Sequence, residues 1–310
     1  AILEKAVRET ETFREFGLEG LIIENTSDVP YLKGMVYPET IGFLSIICHE
    51  VRRRFDGYLG LQVLAGANVE ALCIAHGAGL DFIRVEGYSF AHVADEGIIQ
   101  SSAAELMRKR AHLRAERIKV VADIKKKHSS HAITGDLSLA EMVQLTEYMN
   151  PDGIVLTGFT TGEAPDSSEV KLVRQQTSLP LYIGSGVAPN NFTEFSDLAD
   201  YMIVGSYFKR DGCWQNDLDR DRILEFMSLA KGRDLKMKRL ILASSSPRRI
   251  EILKRLGLPF ETKPPVCFKE INGGRPPEEL VRFNALEKAR EVAAIEGKAL
   301  VIGCDTVIEI

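Results

Sequence analysis

The stretch SSSPRR, residues 244–249, follows the apolar run RLILA and precedes apolar residues at helical spacing. Ser246 stands where an N-cap belongs and Pro247 at the first helical position, so Ser244, Ser245, Arg248 and Arg249 crowd one helix N-terminus. Such an end exposes unpaired N–H groups and the positive pole of the helix. Two arginines add permanently charged, bidentate donors, and the whole suits phosphate oxygens. A capped helix with solvent-facing arginines fits the same residues, and the local sequence leaves both readings open. Ile250, Leu253 and Leu256 recur on one face, and Gly257 is predicted to close the helix. Further on, a second helix starting near Pro277 carries Lys288. The apolar run ALVIG then delivers Asp305 and Thr306 just past Gly303. A carboxylate there can hold a divalent cation or take a proton from water.

A second group of candidates lies upstream. IGSGVAPNNF ends an apolar run in Gly184, Ser185 and Gly186, before a helix predicted near Asn190. IVGSYFKRDG ends the next run in Gly205 and Ser206. Glycine lets the backbone approach anionic oxygens closely, and N–H groups near a helix start act as donors, so the pair reads as a phosphate cup. Taken singly, each motif is equally a tight turn. Glu24, Glu86, Asp123 and Lys125 fall at the ends of other apolar runs, where barrel enzymes gather polar groups. Asp123 and Lys125 alternate, so both are predicted to point inward. A solvated basic loop is the alternative for residues 125–127. The mixture of acids and bases suits proton transfer without naming a substrate.

Seven short runs rich in Val, Ile and Leu must position these groups: 20–24, 59–64, 82–86, 119–124, 153–157, 181–184 and 201–204. Their composition is that of parallel strands buried on both faces. Helices between them begin with predicted capping boxes at Ser102/Glu105 and Ser138/Glu141. The pattern allows an open doubly wound sheet or a (β/α)8 TIM-type barrel, and the two glycine-ended runs in succession favour the barrel. A helix leads into the run 20–24, so the barrel's first strand is expected to precede Ala1.

The chain has 310 residues, enough for two domains or one large barrel, with 45% apolar and 27% charged residues. No uninterrupted apolar stretch is long enough for a membrane span. Five scattered cysteines without a CxxC pair suggest reduced thiols and a cytoplasmic protein. The six histidines show no metal-ligand spacing. Net charge is −5, yet residues 237–310 hold 13 basic against 10 acidic side chains. Neither part is basic enough for a nucleic-acid partner. Association into a homo-oligomer stays open.

Two family resemblances follow. GLIIENTSDVPY, PETIGFLSII, FIRVEGYSFAHVADEGIIQSSAAELMRKR, VVADIKKKHSS, LTGFTTGEAPD and IGSGVAPNNF resemble the BtpA family over about residues 1–217. These are ribulose-phosphate-binding-type barrels named for a role in photosystem I biogenesis. The resemblance implies a barrel with a site for a phosphorylated small molecule and no defined reaction. From Met237 on, SSSPRR, the helix carrying EKA and GCDTV resemble, in this order, the Maf family of nucleoside triphosphate diphosphatases. That resemblance implies hydrolysis of a nucleoside triphosphate to a monophosphate and pyrophosphate with a divalent cation, Mg²⁺ or Mn²⁺. By the same resemblance Ser244, Arg248, Arg249 and Lys288 bind the triphosphate. Asp305 accepts the proton of water, Thr306 helps read the substrate, and Glu270 belongs to the metal site, with Lys269 where the family usually has an Asp. The family's domain is expected to continue past Ile310, and activity to depend on that continuation. The chain is thus read as a fusion: a barrel over 1–227, a linker over 228–236 and the N-terminal part of a smaller α/β domain over 237–310. The alternative is a barrel that acts as an assembly factor or as a binder or enzyme of a phosphorylated metabolite, with an inactive tail.

Overall fold

The structure is a computed structural model that describes residues 1–237, 239–255, 260–271, 276–296 and 299–306. It divides into two compact units, Ala1–Met227 and Ser228–Ile310. In the first, helices and strands alternate: α1 (Ile2–Phe16), β1 (Gly20–Glu24), α2 (Pro38–Arg52), β2 (Tyr58–Gln62), α3 (Asn68–Ala78) and β3 (Phe82–Val85). The hairpin β4 (His92–Ala94) and β5 (Gly97–Ile99) follows, then α4 (Ala103–His112), β6 (Lys119–Ile124) and β7 (Ser129–Ser130). The unit continues with α5 (Leu139–Tyr148), β8 (Gly153–Leu156), α6 (Ser167–Gln176), β9 (Leu181–Ile183), α7 (Phe192–Phe195), β10 (Tyr201–Met202) and the first part of α8 (Arg220–Met237).

Seven strands form one parallel sheet in the order β1-β2-β3-β6-β8-β9-β10. β3, β6 and β8 are buried along nearly their whole length, as their mainly apolar content requires, with Arg84 on β3 and Asp123 on β6 as charged exceptions. The sheet curls strongly. Tyr58 on β2 stacks on Phe82 of β3 with ring centroids 4.6 Å apart and on Tyr201 of β10 at 5.8 Å. Tyr182 of β9 closes the cluster on Tyr201 at 4.4 Å. Strands five places apart in the order therefore meet across an interior, and this aromatic layer plugs its N-terminal end. Gly60 makes the layer fit, because a Cβ there would lie 2.2 Å from the Phe82 ring. The architecture is the TIM-type (β/α) arrangement, of which the described residues supply seven strands.

The Ser138 capping box forms: Ser138 Oγ accepts from Glu141 N at 3.3 Å, and Glu141 Oε2 accepts from Ser138 N at 2.8 Å. The box predicted at Ser102 does not. Ser102 Oγ donates instead to Gly87 O at 3.0 Å and accepts from Asn68 Nδ2 at 2.9 Å, so tertiary partners outcompete the local cap. Residues 228–236, expected as a linker, continue α8. Leu, Ala, Lys and Arg there are good helix formers, and the single Gly232 does not break the run.

The second unit pairs β11 (Arg239–Leu242) in parallel with β12 (Glu261–Thr262) and β13 (Ala299–Ile302), giving the order β12-β11-β13. Helices α9 (Pro247–Arg255) and α10 (Pro277–Glu296) complete it. Ile241, Ala243 and Val292 form its core with Ala299 and Val301 against them. Leu256 and Gly257, predicted to complete and close α9, lie outside the described residues.

Candidate functional site

In the second unit β11 leads directly into Ser244, and α9 begins at Pro247, with Ser246 O accepting from Arg249 N and Ile250 N. The turn is tied by Ser246 N donating to Ser244 Oγ at 3.2 Å. Arg249 reaches back over it. Its Nη1 donates to Ser244 Oγ at 3.4 Å, its Nη2 to Thr306 Oγ1 at 3.2 Å, and Nη2 lies 3.8 Å from Asp305 Oδ1. Lys288 Nζ donates to Asp305 Oδ1 at 2.7 Å and pairs with Glu270 as well. Ser244, Arg249, Glu270, Lys288, Asp305 and Thr306 thus stand around one point. Arg248, one residue along α9, is exposed.

The convergence depends on α10. Asn284, Lys288 and Glu291 fall at i, i+4 and i+7, on one helical face. Asn284 Nδ2 donates to Asp305 Oδ2 at 3.0 Å, and its side chain also exchanges hydrogen bonds with Ile271 N and O, both at 3.2 Å. Glu291 accepts from the backbone N–H of Val266, Cys267 and Phe268 at 2.6 to 2.7 Å. The acceptor face of α10 therefore clamps the 266–271 loop and delivers Glu270 to Lys288. Sequence reasoning singled out Lys288 and missed Asn284 and Glu291; the i, i+4, i+7 spacing was the available signal. Burial works against the charge of Asp305, but the Lys288 ammonium and the Asn284 amide outweigh it and hold the carboxyl below its ordinary 3.8.

Gly303 sets the approach. A Cβ there would lie 1.9 Å from Ala285 O on α10, and backbone cannot step aside. Gly303→Ala is expected to cost at least about 2 kcal/mol and to part Asp305 from Lys288. Amide hydrogen exchange over β11 and β13 checks this; wild-type protection in the variant counts against it.

The barrel candidates divide. Arg84 on β3, which sequence reasoning passed over, lies at the centre of the first unit at 3% side-chain exposure. It forms a fork with Asp123 of β6, Nε to Oδ1 at 2.8 Å and Nη2 to Oδ2 at 3.0 Å. Nη1 reaches Gly184 O at 3.3 Å and lies 3.7 Å from Glu24 Oε1. Lys125 does not join them. β6 ends at Ile124, Lys125 takes φ 54° and lies 4.0 Å from Glu169, because the left-handed turn ends the strand alternation. Lys126 turns inward instead and pairs with Glu86 at 3.3 Å and Glu96 at 3.4 Å, so this loop is not the solvated basic one.

Glu86 is 2% exposed, and burial first of all pushes its carboxyl up to about 7, with Lys126 opposing. Its neutral form is thus favoured in the fold: the benefit is complete below the ordinary 4.5 and lost as pH rises through 7. Glu86→Gln is expected to gain stability relative to wild type between pH 5 and 8.5, by up to roughly 3 kcal/mol. Melting curves at the two pH values measure it, and a pH-independent difference contradicts it.

The two glycine-ended segments flank the 158–164 loop. A Cβ on Gly186 would lie 2.0 Å from Ala164 N, and Ser185 Oγ donates to Glu163 O at 2.8 Å. A Cβ on Gly162 would lie 3.8 Å from Ser206 Oγ, while Gly205 borders open space. The helix predicted near Asn190 is the four-residue α7, whose start is Phe192. Asn191 Oδ1 already accepts from Ala188 N at 2.8 Å. One turn sums little dipole, so the helical contribution to a phosphate cup is weak here.

Among the described residues no helix is long and apolar enough to cross a membrane. All five cysteines are free.

Fold and site together define a TIM-type (β/α) barrel protein joined to a smaller α/β unit with a cationic and acidic cluster. The chain belongs to the BtpA family, whose model matches residues 1–232, and residues 239–310 match the Maf-like protein family. The mitochondrial protein F13E9.13 of Caenorhabditis elegans is 42% identical over 232 residues, 73% of this chain and 83% of that one. Photosystem I biogenesis protein BtpA of Synechocystis is 30% identical over 234 residues, 75% and 81% of the respective chains. Among solved structures, orotidine 5'-phosphate decarboxylase from Pyrococcus horikoshii is 11% identical with a TM-score of 0.49, over 74% of this chain and 95% of that chain.

Proposed function

We propose that the second unit serves a nucleoside triphosphate diphosphatase, which converts a nucleoside triphosphate and water to a monophosphate and pyrophosphate. The observation that carries this reading is the meeting of Arg249, Lys288 and Asp305 at one strand end. A triphosphate brings about four negative charges at neutral pH, which fixed cations must neutralise if attack at phosphorus is to be fast. Arg249 and Lys288 provide them within the cluster, Arg248 from its exposed position beside it. Ser244 and Thr306 hold Arg249 in place and offer hydroxyls to the substrate.

Asp305 takes the proton of the attacking water. The water oxygen bonds to the α-phosphorus, the bond from that phosphorus to the bridging oxygen breaks, and pyrophosphate leaves. A divalent cation, magnesium or manganese, fits the donor set. Among the described residues no three His, Cys, Asp or Glu side chains could hold it alone, but Glu270 and Asp305 meet on Lys288. Magnesium is commonly held by one or two carboxylates with substrate phosphates completing its shell. When bound through Glu270, it supplies further charge neutralisation.

The test is incubation of the full-length protein with nucleoside triphosphates, Mg²⁺ or Mn²⁺ and ¹⁸O-water. Label in the monophosphate is the expected result. Label in pyrophosphate, or release of a diphosphate with inorganic phosphate, overturns the reading.

A further inference from the structure

Three buried side-chain atoms just past the end of β3 have no hydrogen-bond partner: Glu86 Oε1, Ser89 Oγ and His92 Nε2. Glu86 is 2% and His92 4% exposed. Orphaned buried polar atoms are rare and each is costly, so three within seven residues call for a missing partner. Lys126 already satisfies Glu86 Oε2 and is shared with Glu96, which the β4–β5 hairpin brings over the mouth of the barrel. Oε1 instead faces Gly66, where a Cβ would stand 4.0 Å away. The φ of Gly66, 72°, favours glycine and keeps that space clear.

Cations at this mouth are unequally committed. Arg84 is bound to Asp123, Glu24 and Gly184. Lys125 lies beside Glu169, and Lys126 holds two glutamates. For Lys127 the described residues supply no carboxylate partner. Burial first, and then the Arg84 guanidinium, hold its ammonium below the ordinary value, while Glu24, Asp123 and Glu86 act the other way. Burial also pushes His92 down to about 4, so it is neutral at neutral pH. The charged and titratable groups around Glu86 are Lys126, Asp123, Glu96, Arg84, Lys127 and Tyr31.

We infer that the barrel mouth is a binding and proton-transfer site for a small anionic hydroxy or oxo metabolite, with Lys127 taking its anionic group and Glu86 exchanging a proton with it. The Glu86 carboxylate takes one proton from an O–H or C–H of the ligand. The electron pair stays on the ligand, the Lys127 ammonium balances the charge, and the reverse step returns the proton. Ser89 and the neutral His92 supply hydrogen bonds to the hydroxyl or carbonyl. This site is independent of the nucleotide site in the second unit.

Calorimetric titration of the full chain at pH 7 in two buffers of different ionisation heat reads both affinity and protons exchanged. One arm uses dihydroxyacetone phosphate and glycerol 3-phosphate, the other pyruvate and glycolate, which separates phosphate from carboxylate recognition. Binding in one arm with a fractional proton exchanged is the expected result. Glu86→Gln should abolish the proton exchange. Lys127→Met should weaken binding at least tenfold, while Lys5→Met on α1 changes neither. Should a variant fail to fold, the wild-type proton count still decides, since it must vary with pH across neutrality. No binding below 10 mM in either arm, or a proton count that survives Glu86→Gln, overturns the inference.

Discussion

Asp305→Asn is expected to lower pyrophosphate release by about 10²- to 10⁴-fold, the usual contribution of a positioned base. Asparagine keeps the shape and can still accept from Lys288 Nζ, now 2.7 Å from Oδ1, so the fold should survive with little change in melting temperature. The deficit then belongs to proton transfer. Because the carboxyl is held below 3.8 by Lys288 and Asn284, it is ionised throughout the neutral range. The sign follows: activity gains nothing from Asp305 as pH rises through the neutral range, and an acid limb from this group lies below the ordinary 3.8. A pH–rate profile of kcat/KM measures this. Full activity of a folded Asp305→Asn protein is the result that removes Asp305 from the mechanism.

Arg84→Met should be the most destabilising single change in the barrel. Arg84 is buried, and the substitution leaves Asp123, itself 2% exposed at the side chain, without its bidentate partner. Removing one member of a buried pair costs about 3–5 kcal/mol, most of it from the stranded charge. Combining Arg84→Met with Asp123→Leu removes both charges and should recover much of that loss. The chain's one tryptophan, Trp214, lies in the first unit, so its emission in urea reports the transition. A single-variant loss under about 1 kcal/mol, or a double variant no better than the single, would falsify this account of the barrel centre.

Much of the fold was legible because burial on both faces writes itself as short runs rich in Val, Ile and Leu. All seven predicted strands occur, the second shifted to Tyr58–Gln62. Caps were legible only where nothing else competed: the Ser138 box forms, whereas Ser102 lost its hydroxyl to Gly87 and Asn68. The turn at Lys125 could not be read, since alternation holds only while the strand lasts, and the strand stops one residue earlier. Lys126 therefore faces the interior.

The sequence by itself determined the two-part construction and the residue types near the second unit's strand ends, because helix starts, glycines and apolar runs are local signals. Only the tertiary structure decided which charges meet. Arg84 lies 39 residues from Asp123 and 100 from Gly184, and Arg249 lies 57 from Thr306. Contacts of that range arise from the curl of a sheet and the packing of α10 against β13, and no local spacing encodes them.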